Sequence, residues 1–490
     1  MLEHCLSSKL FISLALIAVI STLFLFSLDT IADSYTPYYF DHPWPFDRRK
    51  WLAKRDWYLF PANLNDSSTY RRIVAIRSAF YHPIPKHVVL VVLSAIFSLN
   101  ERRHFSNKYY CAFYDSDYRV TEVVAAEFKW DQIIWCQPDT HQFPIPRYLH
   151  FYGPAREGVT SLASPPWLLP IVNLEERRDK LIGTSAYHQL SVCAGILYRT
   201  QRLLILIQFF EFYLLQGASW FRIHYSGKLP LSTVKLLAHY KEQNLMELAQ
   251  VRPHFQPCSH IRKTRPSCSQ ATMDNECMFQ MAYRTKFLVL CDYDELIQPN
   301  DHNLSLLQWL LLNFADPQYG SFQVLPRYRV SEHGLALDDD DLLKMDTNWT
   351  ELVQELDPLR RWTWSTKPIG HIAYAAKPIV KPEFVRICQI HICKFFYGDV
   401  RLRALRGNGR TDLVMHHFKH VSQMMHWWWK MVIPPRKFYE TINPFNLTSR
   451  TLIETLEKRE AVVLMMLSQV LGKAIANSSL NISSPVTVDL

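Results

Sequence analysis

The sequence predicts an α/β protein: a doubly wound, mostly parallel sheet with helices on both faces, preceded by a β-rich subdomain and a transmembrane anchor. Three observations carry this expectation. Leu10 to Leu28 are nineteen consecutive residues without a charge, long enough to cross a bilayer. From Gln189 to Asn244, strand, helix, strand and helix alternate, the rhythm of parallel strands joined by crossover helices. Phe287 to Cys291 is an apolar run too short for a free-standing helix and suited to a strand buried on both faces. It stops abruptly at Asp292-Tyr293-Asp294-Glu295.

The 490 residues are 48% hydrophobic and 20% charged, the balance of a globular chain with room for one large domain or two ordinary ones. The formal charge is +9, but the basic residues are scattered, and the largest cluster is Arg48-Arg49-Lys50. A nucleic-acid binder carries a denser stripe, so no nucleic-acid partner is expected. Ten cysteines are too few for a disulfide scaffold, yet enough for several bridges in an oxidising compartment. Cys258, Cys268 and Cys277 lie close together, and Cys388 and Cys393 straddle His391. No C-x-x-C pair is present, so bridges or buried thiols are expected rather than zinc. Nine cysteines lie beyond the N-terminal segment, which leaves at least one unpaired; Cys291 in the core strand is the candidate.

Taken in order, residues 1–9 form a short tail containing Lys9, and Asp29 and Asp33 follow the apolar segment 10–28. That asymmetry favours a single-pass anchor with a cytoplasmic N-terminus. A cleaved signal peptide is the competing reading, and both put the chain beyond about Thr30 in the lumen. Six N-x-S/T sequons, at Asn65, Asn303, Asn348, Asn446, Asn477 and Asn481, are compatible with that route. Residues 29–69, rich in Tyr, Pro, Trp and Arg, read as a stem. In 70–184 the apolar runs Arg72–Ile76, His87–Leu93, Tyr109–Tyr114 and Gln132–Cys136 alternate with polar turns and predict the β-rich subdomain.

The α/β domain spans 185–440. It opens with a strand over Gln189–Tyr198 and a helix over Leu203–Leu215, which carries Glu211 as an isolated acid and ends at Gln216-Gly217. A strand over Ser219–Tyr225 and a helix over Leu231–Asn244 follow. A helical stretch over Asn275–Arg284 then feeds the Phe287 strand. Phe322–Val330 reads as one strand, followed by a polar run holding Glu332 and Asp338 to Asp341. In the C-terminal segment 441–490, Leu452–Leu471 has the stripe of an amphipathic helix, and the tail from Asn477 reads as loosely ordered.

Asp292 and Asp294 carry the sharpest chemistry. In extended backbone, residues i and i+2 project to the same side, so two carboxylates would converge at the C-terminal edge of a strand. Open α/β sheets bind their ligands at that edge. Paired hard oxygens suit Mn2+ or Mg2+ shared with the phosphates of a nucleotide. The same spacing recurs at Asp115/Asp117, Asp338/Asp340 and Asp339/Asp341 without an apolar strand in front. A plainer reading makes Asp292 a helix N-cap, with Glu295 closing a capping box.

Several blocks set these carboxylates in a wider pattern. In order they are Leu190-Ser191-Val192-Cys193, Phe209 to Ala218 with the aromatic strand to Tyr225, Glu276-Cys277, and Asp292-Tyr293-Asp294-Glu295. Ser331-Glu332-His333-Gly334, Lys377-Pro378-Ile379-Val380-Lys381-Pro382 with His391, and His417-Phe418-Lys419 complete the series. From about residue 185 to 425 the chain thereby resembles glycosyltransferase family 92, whose studied members include β-1,4-galactosyltransferases.

The resemblance implies a type II membrane protein of the Golgi or endoplasmic reticulum with a metal-dependent GT-A domain. It would move a hexose, galactose from UDP-galactose, onto a glycan or glycoprotein acceptor with inversion. On that reading Asp292 and Asp294 hold Mn2+ (or Mg2+) against the donor diphosphate. His417 is the third ligand, with His416 and His391 as substitutes. Val192 and Lys419 are expected donor contacts, and Glu295 either caps a helix or orients a ligand from behind. His417-Phe418-Lys419 stands where His-Tyr-Arg is expected; lysine keeps the charge but loses the bidentate fork. Inversion needs a base for the acceptor hydroxyl, and Glu332 is the candidate ahead of Asp338 to Asp341. Trp362, Trp364 and Trp427 to Trp429 offer indole faces to a sugar, although core packing is the ordinary use. The alternative function is a catalytically weak relative serving as a membrane-anchored glycan-binding or scaffolding protein.

Overall fold

Short apolar runs in the first third of the chain pair edge to edge until they close on themselves. The computed structural model describes residues 58–61, 73–84, 86–95, 109–130, 133–152, 168–184, 187–197, 202–226, 229–251, 267–314, 316–331, 348–366, 376–405, 412–420, 440–441, 443 and 448–478. Strands β1 (Tyr58–Pro61), β2 (Ile73–His82), β3 (His87–Ala95), β4 (Tyr110–Tyr114), β5 (Val120–Trp130), β6 (Ile133–Cys136), β7 (Tyr148–Tyr152) and β8 (Leu169–Asn173) form one sheet. Its order is β1-β2-β3-β6-β5-β4-β7-β8, and β8 pairs again with β2 through Ala79 and Ile171. The sheet is therefore a barrel, a closure that hides strand edges from other chains. Ile76, Tyr81, Leu90, Phe113 and Phe151 share one core with the disulfide partners Cys111 and Cys136. Phe80, Val89 and Ile133 alternate onto a second core. β1 lies within the stretch read as a stem; its ladder with β2 makes it part of the barrel.

The chain continues through α1 (Leu174–Leu181), β9 (His188–Leu197), α2 (Leu203–Leu215), β10 (Trp220–Ser226), α3 (Leu231–Glu242), β11 (Met246–Val251), α4 (Ser267–Met281) and β12 (Thr285–Cys291). Next come β13 (Glu295–Pro299), α5 (Leu306–Asn313), β14 (Tyr319–Val324), β15 (Pro326–Ser331), α6 (Trp349–Leu356), α7 (Pro358–Arg361), β16 (Trp364–Ser365) and β17 (Lys377–Val380). The hairpin β18 (Val385–Gln389) and β19 (Ile392–Phe396), then β20 (Arg401–Leu405), β21 (Leu413–His420), β22 (Glu440–Thr441) and α8 (Arg450–Ser478), complete it.

A seven-stranded sheet runs β11-β10-β9-β12-β17-β14-β20. β9 to β12 are mutually parallel, and β17 alone runs against its neighbours. The chain steps outward from β9 through β10 to β11, then returns to β12 on the other side of β9. Such a reversal is a topological switch point, where open sheets leave a crevice at the carboxyl ends of their strands. In register across the sheet, Phe221, Val192, Val289, Ile379 and Phe322 face the larger core with α2. Cys193, Leu288 and Leu290 face the opposite way, toward α4. Each such buried aliphatic or aromatic side chain contributes about 1.5–3 kcal/mol.

α4 joins the two halves. Phe279 stacks on Phe80 of the barrel at 5.5 Å, while Cys277 is bridged to Cys193 of β9. Cys388 and Cys393 close the β18–β19 hairpin, and Cys291 is a free, buried thiol as expected. The single strand expected over Phe322–Val330 is two. β14 belongs to the seven-stranded sheet, whereas β15 joins a five-stranded sheet ordered β13-β21-β15-β16-β22. Pro326 brings no N–H to the ladder, and such a residue is at home at a strand's first position.

α8 buries Ile453, Leu456, Leu464 and Leu467 in the larger core. It also encloses several acids. Glu211 of α2 pairs with Arg459 and accepts from the Tyr240 hydroxyl at 2.7 Å. Glu457 accepts from Arg360, Glu460 is fully buried, and Asp357 accepts from the Leu359 N–H and from Gln208. Burial pushes the Asp357 carboxyl up to about 7, with Glu457 adding to the shift and its hydrogen bonds opposing it. A carboxyl whose pKa is raised by folding stabilises most below its unfolded value near 3.8, and that contribution is lost as pH rises through about 7. The melting temperature is expected to fall across that interval, a loss on the order of 2–4 kcal/mol, and Asp357→Asn should flatten the slope. Equal slopes in both proteins, followed by circular dichroism, would exclude Asp357 as its source. Among the described residues no helix is long and apolar enough to cross a membrane. The apolar segment 10–28 lies outside them.

Candidate active site

β12 ends at Cys291, and the chain turns at Tyr293-Asp294 into β13 rather than into a helix. The Asp292 N–H donates to Glu295 Oε2 at 2.7 Å, and the Glu295 N–H donates to the Asp292 carbonyl at 3.1 Å. Only the Glu295 half of a capping box is present, since the Asp292 backbone rather than its side chain accepts in return, and the two bonds close a tight turn between two strands in place of the expected helix cap. β13 pairs with β21 so that Glu295 stands opposite His417, and the Phe418 N–H donates to the Asp294 carbonyl at 2.9 Å. Residues directly opposite in an antiparallel pair carry Cβ atoms about 5 Å apart. The ladder thus delivers a histidine from far along the chain to the acidic turn.

His417 lies between two carboxyl groups: Nε2 is 3.6 Å from Asp294 Oδ2, and Nδ1 is 3.6 Å from Glu295 Oε1. Asp294, Glu295 and His417 each offer a ligand atom, all within 4.8 Å of one another. Two hard oxygens and an imidazole nitrogen fit Mn2+, so the residues present suit the expected ion.

Asp292 is held elsewhere. Its Oδ1 accepts from Gln270 at 2.5 Å and its Oδ2 from Lys377 Nζ at 2.8 Å. The turn at Tyr293 breaks the extended backbone on which convergence with Asp294 depended, and Asp292 is not in the three-residue ligand cluster. Lys377 is 1% exposed and also reaches Glu295 Oε2 at 3.2 Å. Burial works against its charge, but Asp292, Glu295 and Asp274 around it hold its pKa above the ordinary lysine value. Burial raises Glu295 to about 8, with Lys377 opposing, and raises Asp274 to about 8 with the same opposition. His391, whose Nδ1 lies 3.2 Å from the Ala376 carbonyl, is pushed down to about 4 by burial and then by Lys377.

Gly195 of β9 makes room for this arrangement, because a Cβ there would lie 2.5 Å from Asp292 Oδ1. Gly195→Ala is therefore expected to displace the carboxylate and lower kcat on the order of 10–100-fold, since misplacement by an ångström can cost that much. Full activity in the folded variant, measured at saturating donor, would show that the site tolerates movement of Asp292.

Other expected site residues fall differently. Val192 is fully buried in the larger core and has no side-chain surface to offer a donor; a strand covered on both faces hides both of its alternating sets. His416 points away from His417, as neighbours on a strand must. Burial, with Arg329, Arg327 and His302 around it, holds its pKa well below the usual imidazole value. Phe418, at the expected tyrosine position, packs on Trp362 at 5.5 Å inside the core, and Arg329 donates to the Trp362 carbonyl. Trp362 is thus a packing residue, and Trp364 is half-buried on β16. Lys419 pairs through its backbone with Val330; its side chain, Glu332, Asp338 to Asp341 and Trp427 to Trp429 lie outside the described residues. Glu276 is engaged by Arg222 and His224 rather than by the acidic turn. Lys377, Gln270 and Asp274 were not expected. The i, i+4 spacing of Gln270 and Asp274, which puts both on one face of α4, was the available signal.

Two solved structures similar to this chain are a mycobacterial protein and the mannosyltransferase PcManGT from Pyrobaculum calidifontis in complex with GDP-Man and Mn2+. The first is 10% identical with a TM-score of 0.23, over 62% of this chain and 80% of the other. The second is 15% identical with a TM-score of 0.26, over 63% of this chain and 83% of the other. No curated protein matches. The family model that matches is glycosyltransferase family 92, over residues 188–457, which is more than half of the chain and contains every residue of the acidic turn and its partners. The chain belongs to glycosyltransferase family 92 and is a glycosyltransferase.

Proposed function

We propose that this protein transfers a hexose from a nucleotide sugar to a glycan or glycoprotein acceptor, using a GT-A-type site that depends on Mn2+ or Mg2+. The observation that carries the reading is the cluster of Asp294, Glu295 and His417 at the carboxyl end of β12, beside the switch point of the parallel sheet. Asp294 and His417 Nε2 are the residues that would hold the ion, with Glu295 at Nδ1 orienting the ring, as a carboxylate behind a ligating histidine does. Such an ion, when bound, neutralises charge on a diphosphate leaving group. Lys419 adds a positive charge for the diphosphate. Glu332 takes the proton of the acceptor hydroxyl as its oxygen bonds to the anomeric carbon and the sugar–phosphate bond breaks on the opposite face. UDP-galactose is the donor proposed, on the family resemblance.

The reaction is placed in the secretory pathway, with residues 10–28 as the anchor and the catalytic domain in the lumen. Three disulfides among the described residues support an oxidising compartment. The sequon asparagines Asn303 and Asn348 are exposed.

The test is turnover by the full-length protein of UDP-galactose, UDP-glucose, UDP-N-acetylglucosamine, GDP-fucose and GDP-mannose, with and without Mn2+. Metal-dependent use of UDP-galactose is expected. Use of another donor would reassign the sugar, and silence of the folded protein across the panel would overturn the enzymatic reading.

A further inference from the structure

The β18–β19 hairpin is a separate two-stranded sheet whose tip reaches the acidic crevice. Gln389 pairs with Ile392, so Ile390-His391 is a two-residue loop, and the Cys388–Cys393 bridge joins the next pair behind it. A bridge across so short a loop leaves its tip few conformations. Asn275 of α4, fully buried, holds the same place from outside. Its Nδ2 donates to the Cys388 carbonyl at 2.7 Å and to the Ala271 carbonyl at 2.6 Å, and its Oδ1 accepts from the Cys388 N–H at 2.8 Å. One side-chain amide thus satisfies both backbone groups of Cys388, as a neighbouring strand would.

His391 is thereby presented in a fixed orientation. Its Nδ1 lies 3.2 Å from the Ala376 carbonyl, next to Lys377. A carbonyl only accepts, so Nδ1 carries the hydrogen, and in the neutral ring Nε2 carries the lone pair. Burial, and then Lys377, disfavours the charged ring. Nε2 has no hydrogen-bond partner among the described residues and, unlike both nitrogens of His416, it is not sealed from solvent. Asp292 and His417 also act on the ring, which places it at the crevice, although it is not one of the three clustered ligands. An ionised diphosphate only accepts and has no hydrogen to give this lone pair. A hexose carries hydroxyl groups beside the bond that breaks.

We propose that His391 is a sugar-binding residue whose Nε2 accepts a hydrogen bond from one hydroxyl group of the donor hexose, and that Asn275 and the Cys388–Cys393 bridge are the device that positions it. This rests on the nucleotide-sugar reading of the site. A contact that selects one hydroxyl must be held to within a fraction of an ångström by groups behind it. The hairpin supplies that support from three directions: the bridge, the Asn275 amide and the Ala376 carbonyl. Asn275 lies on the same helix as Gln270, so α4 sets the position of both Asp292 and His391.

The test is steady-state transfer by the full-length protein from UDP-galactose and from each of its singly deoxygenated forms, beside Mn2+ binding read by electron paramagnetic resonance. His391→Ala is expected to lower donor kcat/KM about 10-fold, the upper range for one neutral hydrogen bond, with Mn2+ affinity unchanged to within about 3-fold. One deoxygenated form should already be weakened to that extent in the wild type, and for it the substitution should cost nothing further, because the bond is already missing. His391→Gln, which sets a carbonyl oxygen near the place of Nε2, is expected to restore most of the loss. Asn275→Asp keeps the acceptor for the Cys388 N–H but gives up both donations, and should blunt discrimination against that same form. If Asn275→Asp does not fold, the His391 variants decide alone. An equal loss across every deoxygenated form would make His391 a merely structural residue, and loss of Mn2+ binding would make it a ligand; either result overturns the assignment. Failure of the folded wild type to use UDP-galactose appears before any variant is compared, and would overturn the donor reading and this inference with it.

Discussion

Replacing Asp294 with asparagine is expected to lower kcat by roughly three orders of magnitude while leaving the fold intact. Ligands to a catalytic ion carry several kcal/mol of transition-state stabilisation, and each 1.36 kcal/mol is about a factor of ten in rate. The fold does not rest on this carboxylate. Its side chain is 24% exposed, it lies in a turn, and what binds the turn to β21 is the Asp294 backbone carbonyl, which the substitution keeps. The measurement is steady-state transfer across a Mn2+ titration beside a thermal melt. A fall in kcat that high Mn2+ does not restore, with an unchanged melt, is the expected pair of results. An active, folded Asp294→Asn would remove the residue from the chemistry and return the site to Asp292.

How much of this was legible beforehand depends on whether the information was local. The apolar run Phe287 to Cys291 and its abrupt acidic stop were readable, since a strand buried on both faces is written as a continuous apolar run. The parallel order of β9 and β10 around α2 followed from element alternation, and Cys291 followed from counting thiols. The turn at Tyr293-Asp294 was not readable, because extended and turning backbones share the same residues there. Its bond from the Asp292 N–H to Glu295 looks in sequence like the start of a helix. Lys377 was beyond local reading. It reaches Asp292 only because β17 enters antiparallel beside β12, a pairing that no periodicity announces. No strand was expected over Leu413–His420, so His416 and His417 stood as substitutes for one another, and only the pairing of His417 with Glu295 says which faces the acids. Pro326 was a readable break within Phe322–Val330 that the apolar pattern outweighed. Closure of the barrel through β2 and β8 joins strands almost a hundred residues apart and had no local sign.

The largest expected effect on stability lies away from the chemistry, at Glu276. Arg222 of β10 donates to it through Nε at 3.2 Å and Nη2 at 2.7 Å, and His224 Nε2 lies 2.7 Å from Oε2, the oxygen that also accepts from Arg222 Nε. Arg222 is 4% exposed and Glu276 1%, so the pair was taken out of water at a cost that only its partner offsets. Glu276→Ala leaves the guanidinium with Glu247 alone and is expected to destabilise by about 3–5 kcal/mol, read as a fall in the denaturant midpoint. Replacing both members at once, Arg222→Met with Glu276→Leu, is expected to recover most of that loss, because a packed apolar pair removes both desolvation costs together. The double variant then asks a question of function. α4 carries Gln270 and Asp274 into the acidic site from the same helix that Glu276 pins to the sheet. If packing alone seats the helix, the double variant recovers activity along with stability. Recovery of stability without activity would mean that the buried charges of β10 and α4 set the register on which Gln270 reaches Asp292.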